Sequence, residues 1–528
     1  MKRRLLLGGL LLFLCLLFSC AAQTAAQEPI TLRVLTEQSL SDGMNDQVEQ
    51  IAAAFMASHD GVTVEIEFPP EDEEERDLYL YQLRTEIMAG GGPDVYLMPT
   101  GGTRYKSTNS GRSVHTYSVE PLFSDVAQAI QNGIFQDISR YYDEDAALHT
   151  EDLNQTVMDA GVYAGQRCVL PLRFQMPVLI ANPEDSRLTC SDRLSLLDLA
   201  EQAAASEDVQ MAMAVQLPDD LSALSRLLDY DSGQVLISQS EIARYLHLYQ
   251  QITFLRTEPL SEFLERAYCD MMEGNPFAHD MEKWIASYGF GLNYFCNAVN
   301  FTTFSLYWRT SGFPFFTGNL CYALYDAGIS RYLGLESHVQ PLRTDTGETI
   351  AEVTYFGAVG AGCENPELAY EFLREFLTKE AQWDILRPRT DYSDADVWNI
   401  PPQLQTLGFV ENSWPVRTRG STAYLWDTVQ YQIHGGDSFS GMARTENNEE
   451  SDAIAEAMYY DIFLTDEDLP ILFTPIDEVR FPITLPEDES MTWVLAQLNE
   501  EDGTPTDVDI DALAGQLYQN LWWHLAEG

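Results

Sequence analysis

Basic residues are scarce in this 528-residue chain: 30 Lys and Arg stand against 82 Asp and Glu, for a formal net charge of −52. Such a surface repels nucleic-acid phosphates and anionic headgroups, so nucleic acid is not an expected partner. No CxxC pair occurs, and six cysteines beyond Cys20 (Cys168, Cys190, Cys269, Cys296, Cys321 and Cys363) are widely and irregularly spaced. That spacing argues against a zinc site or a redox motif; an even number permits disulfides without requiring them, and buried free thiols are expected. HExxH, a P-loop and GxSxG are all missing, which removes the common signatures of metalloprotease, nucleotide-hydrolase and serine-hydrolase chemistry. The acidic run Asp72 to Glu75 lacks the alternating ligands and central glycine of a calcium loop. No metal, no cofactor and no catalytic residue is expected.

Long apolar runs are also lacking, with one exception at the N-terminus. Lys2, Arg3 and Arg4 precede the apolar stretch Leu5 to Phe18, and Ser19 precedes Cys20. This reads as an export signal, too short for the roughly 20 apolar residues of a membrane-spanning helix. Leu17-Phe18-Ser19-Cys20 resembles a bacterial lipobox, which implies cleavage before Cys20 and a lipid on that residue. Residues 1–19 would then be a signal peptide and 20–28 a lipidated tether; an ordinary signal peptide cleaved after Ala22 or Ala26 is the alternative. The remaining body of about 500 residues is long enough for two or more domains. With 45% hydrophobic and 11% aromatic residues it has ample material for cores.

The body opens with an alternating pattern. Ile30, Leu32, Val34 and Leu35 predict a strand; Val48, Ile51, Ala52 and Phe55 recur at helical spacing; Val62, Val64, Ile66 and Phe68 predict a second strand. Pro69 and Pro70 end it, Glu71 to Glu75 open a helix whose N-terminal dipole favours negative charge, and Gly90-Gly91-Gly92 closes that helix ahead of a third strand, Asp94 to Met98. The order predicts a parallel α/β sheet with right-handed crossovers. Thr103 to Ser118, polar and without periodicity, reads as an exposed loop. Leu513, Leu517, Leu521 and Leu525 predict an amphipathic closing helix, in which Trp522 and Trp523 are packing residues.

Several passages resemble, in order, those of the extracellular solute-binding proteins of sugar ABC importers (family 1, maltodextrin-binding-like). They are Arg84 to Val95 with its glycines and Pro93-Asp94; Leu122 to Val126 with Asn132 to Ile138 and Tyr141 to Asp145; Gly165 to Pro171 with Leu179 to Asn182; Leu188 to Leu197; and Phe356 to Val359 with Asn365 to Leu373 and Glu380 to Gln382. The resemblance implies an α/β, two-lobe periplasmic-binding-protein-like fold with a hinge and an interlobe ligand cleft. Lobe one would comprise 28–180 plus 354–395, and lobe two 181–353 plus 396–528. It further implies a monomer on the outer membrane face, held by the lipid on Cys20, that captures a small-molecule solute, a sugar, and delivers it to ABC permease subunits. A surface receptor or adhesin on the same fold is the alternative. A hydrolase is disfavoured: Gly436-Asp437-Ser438 resembles the GDS block of certain esterases, but no histidine has an aspartate three residues before it.

Sugar sites stack aromatic rings on the ligand and clamp hydroxyls with carboxylates, amides and arginines. Glu37 and Tyr96 follow or end predicted parallel strands, where open α/β sheets place ligands. Arg173 and Phe174 lie beside the expected first crossover. Gly318 to Gly328 is similar to the family's strand ending at a ligand-facing loop, but Ala327-Gly328 stand where many of its sugar binders carry a tryptophan; Tyr325 or Asp326 would have to substitute, a departure that weakens the carbohydrate assignment. Trp414 belongs to the Trp414-Pro415-Val416-Arg417 passage, which is similar to the family's proline-valine passage. Residues 435–486 carry no resemblance of their own.

Overall fold

The structure is a computed structural model. It describes residues 29–272 apart from short breaks, 314–319, 336, 338–382 apart from short breaks, 414–417, and 493–527 apart from 501–502. Cys20, Tyr325, Asp326 and the 435–486 stretch lie outside the described residues.

The opening alternation folds as its periodicity requires. β1 (Ile30–Thr36), α1 (Asp42–Ser58), β2 (Val62–Glu67), α2 (Glu73–Met88) and β3 (Val95–Pro99) follow one another. β1 lies between β2 and β3 and is parallel to both. The apolar face of α1 buries Val48, Ala52 and Phe55. α2 stops where Gly90 takes a φ of +83°, a left-handed conformation that a side chain disfavours.

The polar stretch expected to be a loop instead contains an antiparallel hairpin, β4 (Thr103–Ser107) with β5 (Val114–Ser118). β-branched and aromatic residues, Thr103, Tyr105, Val114, Thr116 and Tyr117, give both arms strand propensity that their polarity masks.

Beyond the hairpin come β6 (Val169–Gln175), β7 (Pro177–Ala181), α3 (Leu196–Ser206), α4 (Val209–Ala214), α5 (Gln239–Met272), β8 (Phe315–Asn319), β9 (His338–Pro341), β10 (Glu352–Val359), α6 (Pro366–Glu375), β11 (Trp414–Pro415) and α7 (Ile510–Glu527). Two sheets organise the described residues. The larger has six strands in the order β11-β6-β10-β3-β1-β2; the smaller has three, β8-β7-β9. β10 enters antiparallel between β3 and β6, which makes the large sheet mixed.

One face of the large sheet carries α1 and α6, whose Phe55 and Phe372 rings meet edge to face at 5.3 Å. Leu373 of α6 lies over Gly357 of β10; a β-carbon there would come within 2.6 Å of its side chain. The other face holds Tyr96, Phe123, Phe135 and Phe356, with neighbouring ring centroids 5.1–6.1 Å apart.

Around the small sheet, β7 is buried from Val178 to Ala181. The long α5 packs against α3, α4 and α7; Leu513, Leu517 and Leu521 of α7 are buried as predicted, whereas Trp522 and Trp523, expected to pack, are 44% and 59% exposed. The chain crosses between the sheets from β6 to β7 and returns from β9 to β10. Trp414 to Arg417, expected in the second lobe, belong with the large sheet. β11 pairs with β6, and the buried Arg417 guanidinium donates to the carbonyls of Leu377 (2.9 Å) and Leu148 (2.6 Å) and to Asp152 (3.2 Å). A guanidinium with partners on two segments, 148–152 and Leu377, fixes the strand there.

Candidate functional site

The carboxyl ends of β1, β2, β3 and β6 and the amino end of β10 share one edge of the large sheet, and both crossings to the small sheet leave from it. Buried polar side chains concentrate there: Thr36, Glu37, Arg76, Thr100 and Arg173 are at most 6% exposed. Burying such groups is costly without partners, so their grouping requires an internal network.

The network is present. The Arg76 guanidinium, in the first turn of α2, donates to both carboxylate oxygens of Glu37, at 2.5 and 3.1 Å. The Tyr355 hydroxyl donates to the Leu97 carbonyl (3.1 Å) and lies 3.0 Å from the Thr36 hydroxyl. Thr100 donates to the Val353 carbonyl at 2.5 Å. The Arg173 guanidinium lies over the Tyr355 ring, 5.8 Å from its centroid, within cation–π range. At the β2 end, Tyr79 donates to Glu67 at 2.8 Å, and burial followed by the carboxylate pushes that hydroxyl above the ordinary tyrosine range. Such an edge offers hydroxyls, a cation and an aromatic face near the step between units.

The expected site residues divide. Glu37 and Arg173 sit in this cluster, and Phe174, 1% exposed, is the core residue beside Arg173. Trp414 pairs through its backbone with Phe174 on the same edge. Tyr96 does not join them. It is the second residue of β3, well before its carboxyl end. Its ring is 1% exposed and edge-on to Phe123 and Phe135, and burial raises its hydroxyl above the usual range. Tyr96 is therefore a core residue. The sequence argument placed it at the wrong end of the strand, and the alternation of β3 turns it into an aromatic cluster.

Thr36, Arg76, Thr100 and Tyr355 were not anticipated. Arg76 left a signal: it is a lone cation directly behind Glu71 to Glu75, in a helix turn where the dipole disfavours positive charge. A cation retained there points to a carboxylate partner. Both cysteines whose state is described, Cys168 and Cys363, are buried free thiols, as expected.

No family model matches this chain, and no curated protein matches it. Solved structures do. An ABC substrate-binding protein from Listeria monocytogenes in complex with cycloalternan is 12% identical, with 95% of this chain and 99% of that one covered and a TM-score of 0.42. An ABC transporter solute-binding protein from Thermotoga lettingae bound with α-D-tagatose is also 12% identical, over 94% and 100% of the two chains, with a TM-score of 0.43. A de novo designed cysteine esterase is 9% identical over 95% and 99%, with a TM-score of 0.45.

Proposed function

We propose that this chain is a solute-binding protein, anchored by a lipid on Cys20, that holds a small polar solute, a carbohydrate, between its two units and delivers it to an ABC importer. The supporting observation is the buried polar cluster at the sheet edge from which both inter-sheet crossings leave. A carbohydrate presents many hydroxyls and apolar ring faces, so a binding edge must supply donors, acceptors and aromatic surface together. Arg173 supplies the cation at that edge, over the Tyr355 ring, the buried hydroxyls of Thr36, Thr100 and Tyr355 hold the edge in shape beneath it, and Trp414 stands on the neighbouring strand. Glu37, gripped by Arg76, acts as the support that holds the first strand's end in place. The working units are 28–180 with 354–395 and 414–417, and 181–353 with the remainder. Closure of one unit on the other turns solute capture into a shape that permease subunits read.

A thermal-shift screen of residues 23–528 against sugars, amino acids, polyamines and peptides tests this reading. A ligand at a hundred times its dissociation constant adds about 2.7 kcal/mol. The expected hit is a saccharide whose affinity falls at least tenfold in Arg173→Gln and is unchanged in Tyr96→Phe. A hit confined to another chemical class discards the carbohydrate; silence across the panel discards the binding reading.

A further inference from the structure

The two crossings between the sheets are unequal. From β6 to β7 a single residue intervenes, the buried Met176, and Pro177 after it restricts Met176 to extended conformations. The return from β9 to β10 spans 342–351, yet most of it is tied to the second unit. The Leu342 amide donates to the Pro177 carbonyl (3.0 Å) and the Arg343 amide to the Leu194 carbonyl (3.3 Å), and Arg343 bridges in parallel to Ser195 at the start of α3. The segment then folds on itself. The Gly347 amide donates to the Thr344 carbonyl and the Thr344 amide to the Glu348 carbonyl, both at 2.8 Å, and Arg343 bridges Thr349.

Arg244 of α5 fastens this hairpin. Its guanidinium ion-pairs with Glu201 (2.6 Å) and Asp198 (3.2 Å) of α3 and with Asp345 inside the return crossing. One cation thus joins two helices of the second unit to the connecting segment. Asp198 is also the third residue after Ser195 in a reciprocal cap, with Ser195 amide to Asp198 and Asp198 amide to Ser195 hydroxyl both 3.1 Å. The Arg343 bridge and the Arg244 pair therefore meet on the same helix start.

We infer that Arg244, acting through Asp345, fastens the described residues between Leu342 and Thr349 to the second unit, so that the return crossing is held as firmly as α3 instead of hanging as a ten-residue linker. This fastening does not rest on the binding reading above. Gln175 and Glu352 still face each other as a register pair of the large sheet, and Val178 faces Pro341 in the small one. Between those two pairs only Met176 and Pro177 stand on the outward strand. Arg244 is in this sense a positioning residue: it acts through Asp345 and touches no solute.

Hydrogen exchange on the ligand-free full chain, read by mass spectrometry with overlapping peptides, tests the inference. In the wild type, amides of 342–349 are expected to exchange as slowly as those of α3, with faster exchange at Met176 and Ala351. Arg244→Gln should accelerate 342–349 at least tenfold while the buried turns around Leu199 and Tyr245 stay protected. Three results would overturn it: wild-type exchange at 342–349 as fast as at Ala351, no change in Arg244→Gln, or an equal loss of protection throughout α3 and α5, which would make Arg244 a general support of the second unit. No ligand enters the measurement, so a silent thermal-shift screen and a failed exchange result are separately readable.

Discussion

Glu37 and Arg76 have side chains 3% and 4% exposed, and removing either charge strands the other away from water. Glu37→Gln is expected to cost about 3–5 kcal/mol in urea denaturation followed by tryptophan fluorescence, while replacing both residues by methionine should fall much nearer the wild type, because a buried pair returns little beyond its own desolvation. A second expectation concerns the thiols. Burial pushes Cys168 up to about 11 and Cys363 up to about 12, so at pH 8 almost no thiolate is present to react. Pulsed iodoacetamide with peptide mass spectrometry should leave both unmodified in the native chain and modify both in urea. At this scale the sheet-edge position of Glu37 was legible from its place after the first strand, and that of Arg173 from its nearness to the first crossover that the resemblance implied. That of Tyr96 was not, because the strand runs on to Pro99 and so leaves its ring in the core instead of at the edge.

The elements legible in advance were those with local periodicity: β1, α1, β2, α2 and β3 at one end and α7 at the other. β10 between β3 and β6 was not legible as an antiparallel insertion, because pairing direction between strands some 180 and 250 residues apart leaves no local trace. The hairpin β4–β5 was hidden by its polarity. Electrostatics also act at this scale. Arg187 binds Asp185 through two nitrogens, at 2.6 and 3.0 Å, and reaches Asp208 (3.3 Å), whose carboxylate caps α4. The hydrogen bonds from Arg187 hold the Asp185 carboxyl below its usual range. A depressed carboxylate stabilises the fold above its unfolded pKa, and that stability is lost as pH falls through the folded value. Asp185→Asn should therefore lower the melting temperature at pH 7, and the difference from the wild type should shrink below about pH 4 and vanish once Asp185 is protonated in both states. Paired melting curves from pH 7 to pH 2.5 measure this directly.

Across the whole molecule the charge of −52 works against compactness. Like charges repel over about 10 Å at 0.1 M ionic strength, and added salt screens that range. Raising sodium chloride from 20 to about 300 mM is expected to raise the melting temperature by a few degrees, since screened repulsion outweighs the few exposed ion pairs that salt weakens. A melting temperature that fell with salt would show attractive pairs, such as those of Arg244 and Arg187, dominating. The α/β class was legible through periodicity and ordered resemblances along the chain. The attachment of Trp414 to Arg417 was not, because it depends on Arg417 finding carbonyls at Leu148 and Leu377, far away in sequence.

The placement of β10 also sets an order of assembly. β3 and β6 are made within the first 175 residues, yet the strand that joins them ends at Val359, and the strand that covers β6 is Trp414–Pro415. A growing chain must therefore carry three open strand edges, one on β3 and two on β6, while β7, α3, α4 and α5 are still being added. Open edges are templates for wrong pairing. The nascent first half is thus the stage most exposed to aggregation, and any factor that shields extended chain has most to do between residues 175 and 359.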